Sequence, residues 1–272
     1  MLVFYVLAFA ISWILILLII GPIRFIGTEN IPDVLLPMLY VAMLAGPSIS
    51  GILLTSLVDG KAGLLKLLSQ LLNWRVNALW YIVALLIAPL LTTAILLVLS
   101  IISVEFLPTI LISNNKFGLM LTSIVVGLVV GFFEELGWTG YAIPRLRMRH
   151  SILSTGLLMG FLWGAWHFPL FSGSANSSGS IPSTLYVAAL LFSWLPAYRV
   201  LMVWIYNRTH SLLISILMHL PIVLSQFVLI PPTLSGASLL TFDLVWSAVL
   251  WIVIAGIAII DRRQVSLQKP VD

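Results

Sequence analysis

Apolar residues run along this chain in blocks of about twenty, and the short segments between the blocks hold most of the charge. A helix needs about 20 apolar residues to cross a bilayer. Eight blocks qualify: 2–20, 34–57, 79–100, 117–141, 152–171, 185–206, 212–230 and 239–260. Pro47, Pro89, Pro196 and Pro221 fall inside blocks; neighbouring helices can satisfy the carbonyls that a proline frees. The blocks are apolar throughout rather than alternating, so helices are expected and barrel strands are not. The predicted fold is all-α, a polytopic transmembrane helix bundle of about eight spans. The first block lacks a preceding basic region and a small-residue cleavage site, and it exceeds a signal-peptide core, so it is expected to be a retained span.

Composition sharpens this picture. Of 272 residues, 61% are hydrophobic and 8% charged, against about 25% charged in ordinary soluble domains. A polar shell around a soluble core is therefore excluded. The absence of cysteine excludes disulfides, thiolate metal sites and a Cys nucleophile. The net charge of +4 predicts no nucleic-acid partner; its placement concerns the membrane instead. Lys61, Lys66, Arg75, Arg145, Arg147, Arg149, Arg199, Arg208, Arg262, Arg263 and Lys269 fall on one side of an eight-span layout, and Arg24 and Lys116 on the other. That asymmetry predicts both termini in the cytoplasm. The short loops fit a multi-pass protein of a prokaryotic cell membrane. No internal repeat is evident, and residues 1–272 read as a single integral membrane domain.

Residues 62–76 differ from the spans. Leu64, Leu65, Leu68, Leu71 and Leu72 recur at helical spacing, flanked by Lys66 and Arg75, which predicts an amphipathic helix at the cytoplasmic interface. It serves as a connector or as part of a lateral substrate entrance. Residues 172–183 are rich in Ser and Gly and are expected to form a flexible extracytoplasmic loop.

Ionisable residues in lipid are costly, roughly 2.5–3.5 kcal/mol each at mid-helix on insertion scales, and mark functional candidates. Here they are Glu134, Glu135, His167, Arg199, His219 and Asp243. At about 1.5 Å rise per residue, Glu134, His167 and His219 lie roughly 15, 22 and 12 Å from the cytoplasmic ends of their spans. Tilt can bring the three to one level, in a site opening toward the cytoplasm. A carboxylate in a low dielectric can act as a general base. Neutral imidazoles can polarise water, donate to an oxyanion or ligate a metal. Two His and one Glu are also a catalytic zinc set. Plainer readings compete: packed histidines, an interfacial Glu pair, Asp243 at the interface, Arg199 snorkelling to the cytoplasm, and Trp163, Trp166 and Phe168 as a packed aromatic segment. The residues alone leave a water-activating hydrolase and a transporter or scaffold open.

Three motifs in order resemble the CPBP family of intramembrane proteases, which includes CAAX proteases and bacteriocin-processing proteins. The first is Glu134-Glu135 followed by Gly137-Trp138-Thr139-Gly140-Tyr141, then Pro144 and Leu146. The second is Trp163 four residues before His167, and the third is His219 after a Ser-Leu-Leu segment. The resemblance covers about residues 34–230. It implies an intramembrane endopeptidase acting on a membrane-associated protein or peptide in the lipid bilayer. It implies Glu134 as the base that activates water with His167, His219 as oxyanion stabiliser, and Glu135 in support. It leaves open zinc, held by Glu134, His167 and His219, or a metal-free glutamate mechanism. Two positions depart from the family pattern. Thr139 replaces an arginine expected to pair with Glu135, leaving Arg145 or Arg199 as partners. Val223 replaces an asparagine near the oxyanion, with Ser225 or Gln226 as substitutes. These departures carry the alternative reading of a catalytically weak or inactive scaffold, immunity protein or transporter.

Overall fold

The computed structural model describes residues 1–27 and 31–267, and these form helices and no strands. The principal helices are α1 (Leu2–Phe25), α2 (Leu36–Leu71), α3 (Ala78–Ser100), α4 (Lys116–Glu135), α5 (Ile152–Trp166), α6 (Ser183–Phe192), α7 (Leu195–Thr209), α8 (Leu212–Val228) and α9 (Gly236–Leu267). Lys269 of the basic tail lies outside the described residues.

Among the described residues, six helical stretches are long and apolar enough to cross a membrane: Leu2–Phe25, Leu36–Leu71, Ala78–Ser100, Lys116–Arg147, Ser183–Thr209 and Gly236–Ile260. The chain is a membrane protein with a polytopic helical bundle. The fifth and seventh expected spans are shorter. α5 has 15 residues and α8 has 17, or roughly 22 and 26 Å at 1.5 Å per residue. α5 stops where His167 precedes Phe168-Pro169, and a separate turn, Phe168–Phe171, follows. Proline has no N–H to continue the helical ladder. The sixth expected span divides into α6 and α7 at Ser193-Trp194, with Pro196 in the first turn of α7, where its missing N–H is tolerated.

The expected interfacial helix has different bounds. α2 kinks at Gly60, whose φ of 61° suits a residue without Cβ, and the segment beyond ends at Leu71. Trp74 and Arg75 lie past the helix. Its Leu67 is buried with Leu136, Leu212 and Ile216, against which Leu71 packs. Leu65, Leu68 and Leu72 face outward. The segment is therefore docked as well as interfacial. Part of the expected loop after Phe171 is a 3-10 helix, Ser172–Ser177.

Without a hydrophobic drive between spans in lipid, close backbone approach holds helices together. Gly127 and Gly131 of α4 face α8, so a Cβ there would come to 2.8 Å from the Leu220 carbonyl and 3.0 Å from that of Ile216. Gly156, Gly160 and Gly164 place α5 against Val200, Pro196 and Leu191 in the same way. α1 lies on α2, where the Ser12 hydroxyl donates to the Met43 carbonyl at 2.6 Å and accepts from the Trp166 indole at 3.0 Å. α2, α4, α5, α7 and α8 thereby converge on one polar interior.

Gly127→Leu is predicted to overpack the α4–α8 contact at a cost of about 1–3 kcal/mol. It should lower the thermal unfolding midpoint in detergent. Val129→Leu, on a face that is 44% exposed, should leave the midpoint unchanged. Equal midpoints would contradict the packing.

Candidate active site

The end of α4 sets the site. The helix is regular through Glu135 and then widens into a π-helix, Leu136–Ala142. Such turns in α-helices often occur at functional sites. Trp138 is fully buried there and packs edge-on against Phe4 and Trp166.

The two glutamates, adjacent in sequence, have different partners. Glu135 is fully buried. Its Oε1 and Oε2 accept from Arg199 Nη1 at 3.0 and 2.9 Å. His219 Nδ1 donates to Oε1 at 2.8 Å, and the Thr139 hydroxyl donates to Oε2. Removing a charge to the interior is costly unless it is paired and hydrogen-bonded; this carboxylate meets both conditions. The Arg199 guanidinium also lies 4.1 Å from the centre of the Trp163 ring, a cation–π contact.

Glu134 is less committed. Its Oε2 accepts from the Trp163 indole N–H at 2.7 Å, and its Oε1 lies 4.0 Å from His219 Nε2. Because the carboxylate of Glu135 can only accept, His219 Nδ1 carries a proton, and Nε2 faces Glu134. His167 Nδ1 donates to the Trp163 carbonyl at 2.8 Å, which fixes its tautomer similarly. Glu134, His167 and His219 all line one cavity of about 220 Å³, with Tyr40, Trp163 and Val223.

The expected site residues thus gather, with adjustments. Glu134, Glu135 and His219 have ligand atoms all within 4.8 Å of one another. His167, at the end of α5, lines the cavity but stands outside that close group. A zinc site of Glu134, His167 and His219 is therefore not assembled. In the group that is close, Glu135 is occupied by a guanidinium, a hydroxyl and His219, so fewer than the three protein ligands of a catalytic zinc remain available. The donor set does not fit the metal.

Other expectations are also resolved. Arg199, expected to snorkel, is fully buried and pairs with Glu135. Arg145 pairs with Asp59 and donates to the Tyr141 carbonyl, so it is not the partner of Glu135. Thr139 does not leave Glu135 bare: the hydroxyl binds it from the same helix and Arg199 supplies the cation from α7. Asp243, expected at the interface, is buried and lines a second cavity of about 190 Å³. Ser225 donates to its own helix at Pro221 and faces that second cavity, whereas Gln226 reaches both. Tyr40 was missed from the sequence; a lone phenol on an otherwise apolar face of α2 was its only signal.

The family model of type II CAAX prenyl endopeptidases, Rce1-like, matches residues 116–224. CAAX prenyl protease 2 of Methanococcus maripaludis is 28% identical over 138 residues, 50% of this chain and 48% of that protein. Over the matched residues the chain is similar to intramembrane proteases of the CPBP type. The chain spans about half the length of the curated relative it matches. The matched residues 116–224 include Glu134, Glu135, His167, Arg199 and His219.

Arg199→Met leaves the Glu135 carboxylate without its cation, at a predicted cost of about 3–5 kcal/mol. Removing both charges with Arg199→Met and Glu135→Leu should recover much of that loss. Unfolding of the single and double variants in detergent checks this. An additive loss would show that the two do not stabilise each other.

Proposed function

We propose that the chain is an intramembrane endopeptidase that hydrolyses a peptide bond of a membrane-associated protein or peptide. The observation that carries this reading is the asymmetry of the glutamate pair. Glu135 is consumed by Arg199, Thr139 and His219, while Glu134 keeps one oxygen toward the cavity.

The 4.0 Å between Glu134 Oε1 and His219 Nε2 exceeds a direct hydrogen bond and suits a water between them. Glu134 takes a proton from that water, whose oxygen attacks the substrate carbonyl carbon. His219 enters the reaction with a proton on each nitrogen, Nδ1–H donating to Glu135 and Nε2–H to the developing oxyanion, and keeps both throughout. The proton held by Glu134 passes to the leaving amine as the C–N bond breaks. His167 orients the water and the carbonyl from the cavity wall, and Trp163 holds Glu134 in place. The mechanism is metal-free, with no step through zinc. Val223 contributes no donor, which predicts a slower enzyme than one with asparagine there.

The catalytic segment belongs to a core of about residues 34–230 within a single membrane domain, 1–272. Both termini lie in the cytoplasm, supported by the uneven placement of Lys and Arg. Short loops and an archaeal relative support a prokaryotic cell membrane as its location.

In proteoliposomes carrying a membrane-anchored peptide reporter, Glu134→Gln should lower cleavage by about 10²–10⁴, the contribution of a general base. His219→Ala should cost about 10²–10³, the contribution of an oxyanion donor. Val223→Asn should raise the rate, and a chelator should leave it unchanged. Cleavage at the original rate by Glu134→Gln and His167→Ala would sink the endopeptidase reading. Loss of activity with chelator and its return with zinc would overturn the metal-free mechanism.

A further inference from the structure

The cavity has a deep end and a mouth, and they lie on different sides of the polar layer. Glu134, Trp163 and His219 are buried at the deep end. The mouth is formed by Leu36 in the first turn of α2, Phe171 beyond α5, and Gln226 and Phe227 in the last turn of α8. Leu36 is 38% exposed and Phe227 42%. Among the described residues, no Lys or Arg lines the cavity. The opposite ends of these helices lead to the basic connections, with Lys61 and Lys66 after the kink in α2, Arg147 and Arg149 before α5, and Arg208 before α8.

On the basic side a separate cavity of about 470 Å³, lined by Asp59, Lys66, Leu67, Gly140 and Arg145 among others, is not lined by either glutamate. Leu67 of the docked segment after Gly60 packs with Leu136, Leu212 and Ile216, between that segment and the glutamates. Trp138, Tyr141, Ile143 and Leu146 are buried in the turn that follows Glu135. A chain lying on the basic surface meets this plug, not the cavity. The sequence led to the expectation of an opening toward the cytoplasm; the cavity's exposed rim lies away from the basic connections.

Resting on the proposed orientation, we infer that substrate enters from the extracytoplasmic half of the membrane. The basic connections mark the cytoplasmic side, and the mouth faces away from them. The substrate class is an apolar peptide or protein segment presented in the outer leaflet or at the outer surface. A lipid-modified tail lying on the cytoplasmic surface does not reach Glu134. Apolar rim residues match an apolar segment, and Gln226 offers its backbone a hydrogen-bonding partner at the rim.

The chain has no cysteine, so single cysteines report accessibility without background. Leu36→Cys and Gln226→Cys probe the mouth. Asn114→Cys, in the connection between α3 and α4, marks the same side, and Met148→Cys, exposed between α4 and α5, marks the basic side. Each full-length variant is treated with a membrane-impermeant maleimide in right-side-out and in inverted vesicles. The expected result is labelling of Leu36→Cys, Gln226→Cys and Asn114→Cys in right-side-out vesicles, and of Met148→Cys only in inverted ones. Labelling of Met148→Cys in right-side-out vesicles and of Asn114→Cys only in inverted ones would overturn the orientation. If the two markers behave as expected but both mouth cysteines react only in inverted vesicles, or in neither, the orientation stands and the entry route is wrong. These readouts need no proteolysis, so they are independent of whether Glu134 is a base.

Discussion

A carboxylate and a guanidinium, both fully buried, anchor this bundle. Glu135 and Arg199 come from α4 and α7, and neither helix could present its charge to the interior alone. The pair is completed by a hydroxyl from Thr139 and an imidazole from His219 on α8. Three helices are thus tied at one point in a medium that offers no other partner for the charges. The glycine contacts of α4 with α8, and of α5 with α6 and α7, bring the backbones close enough for these bonds to form.

The same network produces the chemistry of its neighbour. Because Glu135 accepts from His219 Nδ1, the other nitrogen of that ring is directed at Glu134. Because Trp163 stacks under Arg199 and donates to Glu134, the free oxygen of Glu134 points into the cavity. One glutamate is held in the ion pair, while its neighbour lines the cavity as the proposed base. A buried pair of this kind gives little net stability over a well-packed apolar core; here it orients His219.

Much of the fold was legible. Eight apolar blocks corresponded to six long helical stretches and two short ones, because block length and hydropathy report burial in lipid directly. The breaks at His167 and Ser193 were less legible, since an apolar run looks continuous until proline and packing divide it. The glutamate pair, both histidines and Arg199 stood out because ionisable residues are rare in such blocks. What the sequence could not supply was the pairing. Thr139 looked like a loss while its position on α4 was considered alone, and became a partner once α7 brought Arg199 across. The depth arithmetic for His167 could place it near the site but not decide whether it joined the closest group. The packing of Leu67 against Leu136, Leu212 and Ile216, on which the inferred entry route rests, is encoded by no periodicity.

The division of labour between the two glutamates is the central claim, and thermal unfolding of Glu134→Gln and Glu135→Gln, side by side in the same detergent, tests it most directly. Glu135→Gln should unfold at a clearly lower temperature than the original chain, since Arg199 loses its counter-charge. Glu134→Gln should unfold at the same temperature or higher, since its carboxylate is kept for reaction. Equal destabilisation by both, or a fall confined to Glu134→Gln, would contradict the account.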